Sequence, residues 1–229
     1  MHVQRRRPAE LSSQRLGTVV VMDVLRMTST AAVLMSRPSC LRVAVAATLR
    51  DLDRLSQPAS EYVVVSELAE APWVGTRVDN SPARVSRMAF GERTPVLVTT
   101  NGTRTLLSAA ACADDVLLAS FRDLRAVARH LAALATPSVV LLPAGDFASG
   151  KGCLEDDLCA DALEAILAGR EPDLADSAAL IRAHPRVRRR VEVEAGFRAD
   201  LDVALEDDPR AMALRFQPLD AGVGQIVRA

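Results

Sequence analysis

The sequence predicts an α/β fold, a three-layer α/β/α sandwich around a mixed, largely parallel sheet. Short β-branched runs alternate with helical patterns through the first 170 residues, the layout that feeds a parallel sheet with helices on its faces. Several runs are apolar throughout, as strands buried on both faces are. Hydrophobic residues make up 49% of the chain and aromatics only 3%, so the core must be built from Val, Leu, Ala and Ile.

The runs that read as strands are Thr18–Met22, Arg42–Ala46, Tyr62–Ser66, Val96–Thr99, Val116–Ala119 and Val139–Leu142. Between them the helical readings are Thr28–Met35, Leu49–Ser56, Ala83–Phe90, Arg104–Ala111, Leu124–Ala135 and Leu158–Leu167. Leu124, Val127, Ala128, Leu131 and Leu134 recur at the spacing of one helix face. The Pro-, Asp- and Arg-rich stretch 171–190, ending in RVRRR, reads as an exposed helix and connector. The tail RFQPLDAGVGQIVRA has room for a last strand and a glycine turn. The 229 residues are read as one domain, with 1–16 a candidate for disorder and 171–229 a divergent C-terminal part of the same domain.

A formal net charge of -1 argues against a general nucleic-acid binder, which needs a basic surface. No apolar run reaches the roughly 18 residues of a membrane span, and the start MHVQRRRPAELSS lacks the apolar core of a secretory signal. Cys40, Cys112, Cys153 and Cys159 form no C-x-x-C pair, so neither a zinc site nor a disulfide framework is expected; reduced thiols in a cytoplasmic protein are. His2, His130 and His184 make no cluster. A closed homodimer is expected on general grounds.

Four strand ends are polar: Asp23 to Thr30, the Thr99-Thr100-Asn101-Gly102-Thr103-Arg104 knot, Ser120 to Asp123, and Pro143 to Asp146 with Gly145 in its turn. Ligands of open parallel sheets sit outside the carboxyl ends of the strands, so these ends are expected on one rim. Two readings stand for the TTNGTR knot. Thr and Asn are ordinary helix caps. They are also neutral donors beside the free N–H groups and positive dipole of a helix start, with Arg104 adding a forked cation: a seat for phosphate, sulfonate or carboxylate. A second donor-rich start, Arg26-Met27-Thr28-Ser29-Thr30, favours the anion seat and a ligand with two anionic groups.

Carboxylates supply the other half. Asp23 ends a buried strand, where an unpaired charge is costly and a metal or an arginine would offset it. Glu155, Asp156 and Asp157 open a helix, either as acids favoured by its dipole or as ligands of a magnesium ion shared with Asp23. Glu67, at the end of the third predicted strand, is a further ligand candidate. Lys151, the only lysine, reads as a solvated loop residue or a cover for an anion.

The segments VVVMDVLRMTSTAAVLM, GTRVDNSPARV (Gly75–Val85), VLVTTNGTRTLLSA, LLASFRD and LLPAGDFASGKGCLEDDLCADALEAIL resemble, in order and spacing from about Val19 to Leu167, the 2-phosphosulfolactate phosphatases. The combination of DVLR-x-T-S-T, NSP, TTNGTR and EDD-x-C-A carries the resemblance. It implies a magnesium-dependent hydrolase of a phosphoester on a small sulfonated hydroxy acid, releasing sulfolactate on the way to coenzyme M. Asp23, Arg26 and Asp156 are then the catalytic candidates. Thr28, Ser29, Asn80, Ser81, Thr100, Asn101, Gly102, Thr103, Arg104 and Gly145 are candidates for substrate and phosphate binding. Mg2+ falls to Asp23, Glu67, Glu155, Asp156 and Asp157. Whether Asp23 is a nucleophile or only a ligand stays open; Leu25 stands where the haloacid dehalogenase class wants a second Asp. The chain also departs from the family, reading Ser66-Glu67-Leu68 where the family shows Gly-Glu-Arg. That motivates a substrate without sulfur, or a silent anion-binding homologue, as alternatives.

Overall fold

The computed structural model describes residues 1–68 and 76–229, and in it ten strands form one sheet in the order β1-β8-β2-β7-β9-β10-β3-β6-β4-β5. The strands are β1 (His2–Arg5), β2 (Leu16–Met22), β3 (Val43–Ala46), β4 (Tyr62–Val65), β5 (Thr76–Val78), β6 (Thr94–Leu97), β7 (Ala113–Ala119), β8 (Ser138–Pro143), β9 (Leu214–Asp220) and β10 (Val223–Arg228). The helices are α1 (Met27–Met35), α2 (Pro82–Val85), α3 (Gly102–Cys112), α4 (Leu124–Ala133), α5 (Leu154–Leu167), α6 (Leu174–Ala183), α7 (Pro185–Val193) and α8 (Phe197–Ala204). Gly75, first residue of the GTRVDNSPARV segment, lies outside the described residues.

β1, β8, β2 and β7 pair in parallel, and so do β3, β6, β4 and β5. The C-terminal hairpin β9–β10 joins the two halves through antiparallel pairing on both sides. Three reversals between β7 and β3 make the halves run in opposite senses along the ladder. Twist of 20–25° per step accumulates to roughly 100–125° over the five steps from β2 to β6, which swings the carboxyl end of β6 back toward that of β2.

The alternation of side chains across β2 shows why both its faces are apolar. Val19 and Val21 face a central core with α1 and α3, and the inner faces of β3, β4 and β6 pack into the same core. Val20 and Met22 face an outer core with α4, α5 and α8. The outer face of β3, β4 and β6 is covered by Leu52, from a 3₁₀ segment (Leu49–Arg54) where a longer helix was expected, and by Leu55 just after it.

Other expectations shift as well. Residues 2–5, within the stretch read as a candidate for disorder, form β1 against Ser138–Leu141. The helix expected at Ala83–Phe90 stops at Val85. The Arg37 guanidinium donates to the carbonyls of Ser86 and Met88, which an extended helix would need for itself. The connector region holds two successive helices, α6 and α7, each tied down by one buried residue, Ile181 and Val187. The tail forms two strands, not one, with Gly222 at φ +78 in the turn between them.

Candidate active site

β2 delivers Asp23 to the end of the sheet, and the chain turns at once into α1. Thr28 N–H and its hydroxyl both donate to Asp23 O, at 2.8 and 2.9 Å, and Ser29 Oγ donates to Val24 O at 2.8 Å. Thr28 and Ser29 are fully buried, so their hydroxyls shape this turn and do not meet a ligand.

The Asp23 carboxylate is buried and pushed up to about 7, first by desolvation and then by the neighbouring carboxylates of Glu67 and Glu155. Backbone N–H groups of Met27 and Gly102 pull the other way. Those two residues open α1 and α3, so two helix starts converge on one carboxylate. Gly102 has no room for a side chain: a Cβ there would collide with Asp23 Oδ2 and the Met27 side chain.

This closeness answers what the TTNGTR knot does. Its helix start is largely spent on the protein itself. Gly102 N–H serves Asp23, Thr103 N–H donates to Thr99 Oγ1 at 3.1 Å, and Thr103 Oγ1 donates to Thr99 O at 2.9 Å. Thr103 is buried, and exposed Arg104 does not line the cleft. Thr100 and Asn101 do line it. Glu67 accepts from Thr100 N at 2.8 Å, from Thr100 Oγ1 at 3.1 Å and from Asn80 Nδ2 at 3.4 Å, tying together the ends of β4, β5 and β6. Asn101 Oδ1 accepts from Phe147 N at 3.1 Å, which ties in the loop after β8.

Arg26 reaches into the same cleft but is committed there. It makes a two-pronged contact to Asp79 at 2.9 and 3.1 Å and a third, at 2.6 Å, to Asp200 of α8. Burial works against its charge, and the two carboxylates more than offset that. Asp200 also accepts from Ser81 Oγ and, at 3.2 Å, from Ala83 N, so Ser81 serves this network.

The acids of α5 divide three ways. Asp156 is buried and accepts from Val24 N at 2.8 Å and Gly145 N at 2.9 Å. Both its oxygens are therefore bound to backbone; it holds the ends of β2 and β8 together and faces no reactant. Gly145 takes part only through that N–H. Asp157 turns away onto Arg7 at 2.7 Å. Glu155 is buried, pairs with Arg186 of α7 through one oxygen, and keeps Oε2 without a partner. Lys151 is exposed and outside the cleft.

The cleft measures about 460 Å³ and is lined by Asp23, Leu25, Arg26, Glu67, Asp79, Asn80, Thr99, Thr100, Asn101, Arg186, Arg190 and Glu194. Four polar strand ends gather around it, those of β2, β4, β5 and β6, with β8 tied in through Asn101 and Asp156. The end of β7, expected on the same rim, points elsewhere. Arg122 there pairs with Glu206 and Asp208, and Asp123 folds back onto Ser120. A larger cavity of about 760 Å³ lies by Arg37, Cys40 and Phe90, but Glu92 is the one carboxylate in its lining. Size alone is a poor guide here; the smaller cleft holds the perturbed acid and the opposing charges.

Among the described residues no group of three or more His, Cys, Asp or Glu side chains is placed to hold a metal ion. The donor set nevertheless suits a hard cation. Asp23 and Glu67 are hard oxygen donors that repel each other in the cleft, and Glu155, which acts on Asp23, has an orphaned buried oxygen. Asp156 and Asp157 lie outside the lining of the cleft, the first tied to two backbone amides and the second turned onto Arg7.

Sequence reasoning missed Asp79, Asp200, Arg186, Arg190 and Glu194. One signal was available. Arg186, Arg190 and Glu194 are four apart, hence on one face of a helix that Pro185 opens.

Fold and site together define an α/β sandwich with an acid-floored, arginine-walled cleft at its strand ends. The family described as 2-phosphosulpholactate phosphatase matches residues 3–198, and the chain belongs to that family. A Thermus thermophilus relative, named probable 2-phosphosulfolactate phosphatase, is 31% identical over 83% of this chain and 80% of its own length. Relatives of the same name in Prochlorococcus marinus (strain SARG) and Deinococcus radiodurans are 30% and 32% identical. The first match covers 75% of this chain and 69% of the relative; the second covers 55% and only about half, 52%.

Proposed function

We propose that the protein is a magnesium-dependent phosphatase that converts 2-phosphosulfolactate and water into sulfolactate and inorganic phosphate. The family and the names of its relatives support the substrate. The observation that carries the chemistry is Asp23, a buried carboxylate at two helix starts, facing Glu67 across a cleft walled by arginines.

Asp23 and Glu67, with the free oxygen of Glu155, would hold the cation. When bound, Mg2+ polarises the phosphoryl oxygens. The chain's own residues do the rest. Thr100 and Asn80 hold Glu67 in place, while Asn101, fixed by Phe147, keeps its amide toward the cleft. Arg26, clamped by Asp79 and Asp200, braces the chain after β2 against α8 and so keeps that wall of the cleft fixed. In the reaction the water oxygen bonds to phosphorus, the phosphorus–ester oxygen bond breaks, and the departing hydroxyl takes up the proton that water releases.

A second reading is favoured by Leu68, which packs on the outer face of β3, β4 and β6 and puts no charge beside Glu67. It is hydrolysis of a phosphorylated hydroxy acid that lacks sulfur. The test is phosphate release from 2-phosphosulfolactate and from 2-phospholactate, with Mg2+ and with a chelator. Preference for the sulfonated ester supports the first reading; preference for 2-phospholactate supports the second. Release that ignores the chelator would overturn the magnesium role, and no release from either ester would overturn both readings.

A further inference from the structure

We propose that Arg186 of α7 is the specificity-determining residue that binds the anionic end of the substrate that is not transferred, its sulfonate or carboxylate. The proposal rests on the phosphatase reading above and assigns a role to a helix outside the recognised motifs.

Three arginines line the cleft, and their partners differ. Arg26 is held by two carboxylates and its side chain is 10% exposed. Arg190 makes a two-pronged pair with its own helix neighbour Glu194, at 2.7 and 2.9 Å, and stacks 3.9 Å over the Phe197 ring. Arg186 is different. Its Nη2 meets Glu155 and its fork also touches the Cys153 side chain, yet the side chain is 45% exposed against 3% for Glu155. A guanidinium has five donors in a planar fork, so most of this one remains free at the mouth of the cleft.

Its position is nonetheless fixed. Val187, next in sequence, is buried in the outer core, and Pro185 sets the first turn of α7. Glu155 anchors the guanidinium from beneath, which lowers the ordering cost of binding an anion. The layout is bipolar, with carboxylates for a cation at the floor and a forked cation at the rim. A small ester carrying a phosphoryl group at one end and an oxyanion at the other fits that polarity.

The test uses three esters and one product with the full-length protein. The esters are 2-phosphosulfolactate, 2-phospholactate and isopropyl phosphate, the last lacking both acid groups. The proposal expects Arg186→Ala to reduce the ratio of kcat/KM for 2-phosphosulfolactate over isopropyl phosphate by about ten- to hundredfold. The loss should sit mainly in KM, and Arg186→Lys should recover part of it. The 2-phospholactate arm shows which oxyanion is read: it loses as much as the sulfonated ester if the carboxylate is bound, and little if the sulfonate is. Calorimetric binding of sulfolactate should weaken by a similar factor in both variants relative to the parent protein, more in Arg186→Ala. A purely structural role would lower turnover of every ester together and leave the ratio unchanged, which overturns the proposal. If the parent protein hydrolyses none of the esters, the phosphatase reading falls, and sulfolactate binding alone decides on Arg186. If Arg186→Ala fails to fold, unweakened sulfolactate binding by folded Arg186→Lys overturns the proposal.

Discussion

The Asp156 carboxylate accepts the backbone N–H of Val24 at 2.8 Å, joining α5 to the end of β2. Its other oxygen takes Gly145 N–H at 2.9 Å, so one side chain sets the spacing of two strand ends. Burial, then Asp23 and Glu155, push its carboxyl well above the usual range, and the two amides pull it back. Asp156→Asn keeps one acceptor and turns an NH2 toward the other amide. We expect a loss of about 1–3 kcal/mol from the stranded donor, more for Asp156→Ala, read by denaturant unfolding. Unchanged stability in both would remove this residue from the scaffold.

Asp23→Asn separates function from stability. Phosphate release should fall by at least about a thousandfold, because the proposed cation ligand and the focus of both helix starts is gone. At pH 8 without divalent cation, the variant should melt above the parent protein. There the parent carries an ionised buried acid beside Glu67 and Glu155, and Asn does not. A lower melting temperature would mean that the helix dipoles outweigh burial and repulsion.

Gly102→Ala tests the closeness of α1 and α3. The added methyl meets Asp23 Oδ2 and both the tip and the Cβ of Met27; the tip can swing aside but the Cβ cannot, so the helix start must move. We expect a loss of about 1–3 kcal/mol and a fall in turnover larger than that loss explains. Scanning calorimetry beside initial rates checks it; wild-type rates would show that the close approach is dispensable.

Asp123 gives a pH signature away from the cleft. Burial pushes its carboxyl up to about 7, while Ser120 N–H at 2.7 Å pulls it down and Oδ2 has no partner. The folded state thus holds a proton that the unfolded state releases near 3.8. Between that value and about 7 the native chain binds more protons, so stability falls as pH rises and levels off above. Asp123→Asn removes this titration. Its melting temperature should gain on the parent's from pH 5 to pH 8, by roughly 2–4 °C per kcal/mol of linkage. A constant gap between the two would show that Asp123 does not titrate in that window.

How much of this was legible beforehand depends on the range of the interaction. The strands β2, β3, β4, β6, β7 and β8 were read within a few residues, because burial on both faces writes itself into consecutive side chains. So were α1, α3, α4 and most of α5. Asp23, Glu67, Thr100 and Asn101 were legible as site candidates, because polar residues at the ends of apolar strands stand out locally; Asn80 came only from the NSP segment of the family resemblance. Thr28, Ser29 and Thr103 looked the same in sequence yet are buried caps. A hydroxyl's target, backbone or ligand, is set by which way the next turn packs.

The amino-acid sequence by itself determined the α/β class, the aliphatic core and the carboxylate and donor types gathered at the strand ends, since all of these follow from neighbours in the chain. Only the tertiary structure decided that a C-terminal hairpin reverses half the sheet, that α7 and α8 bring Arg186, Arg190 and Asp200 to the cleft, and that the β7 end lies outside it. Those outcomes rest on pairings between residues far apart in the chain, such as Arg26 and Asp200, 174 positions apart. Such pairings come from packing the whole chain at once, and no local pattern of side chains encodes them.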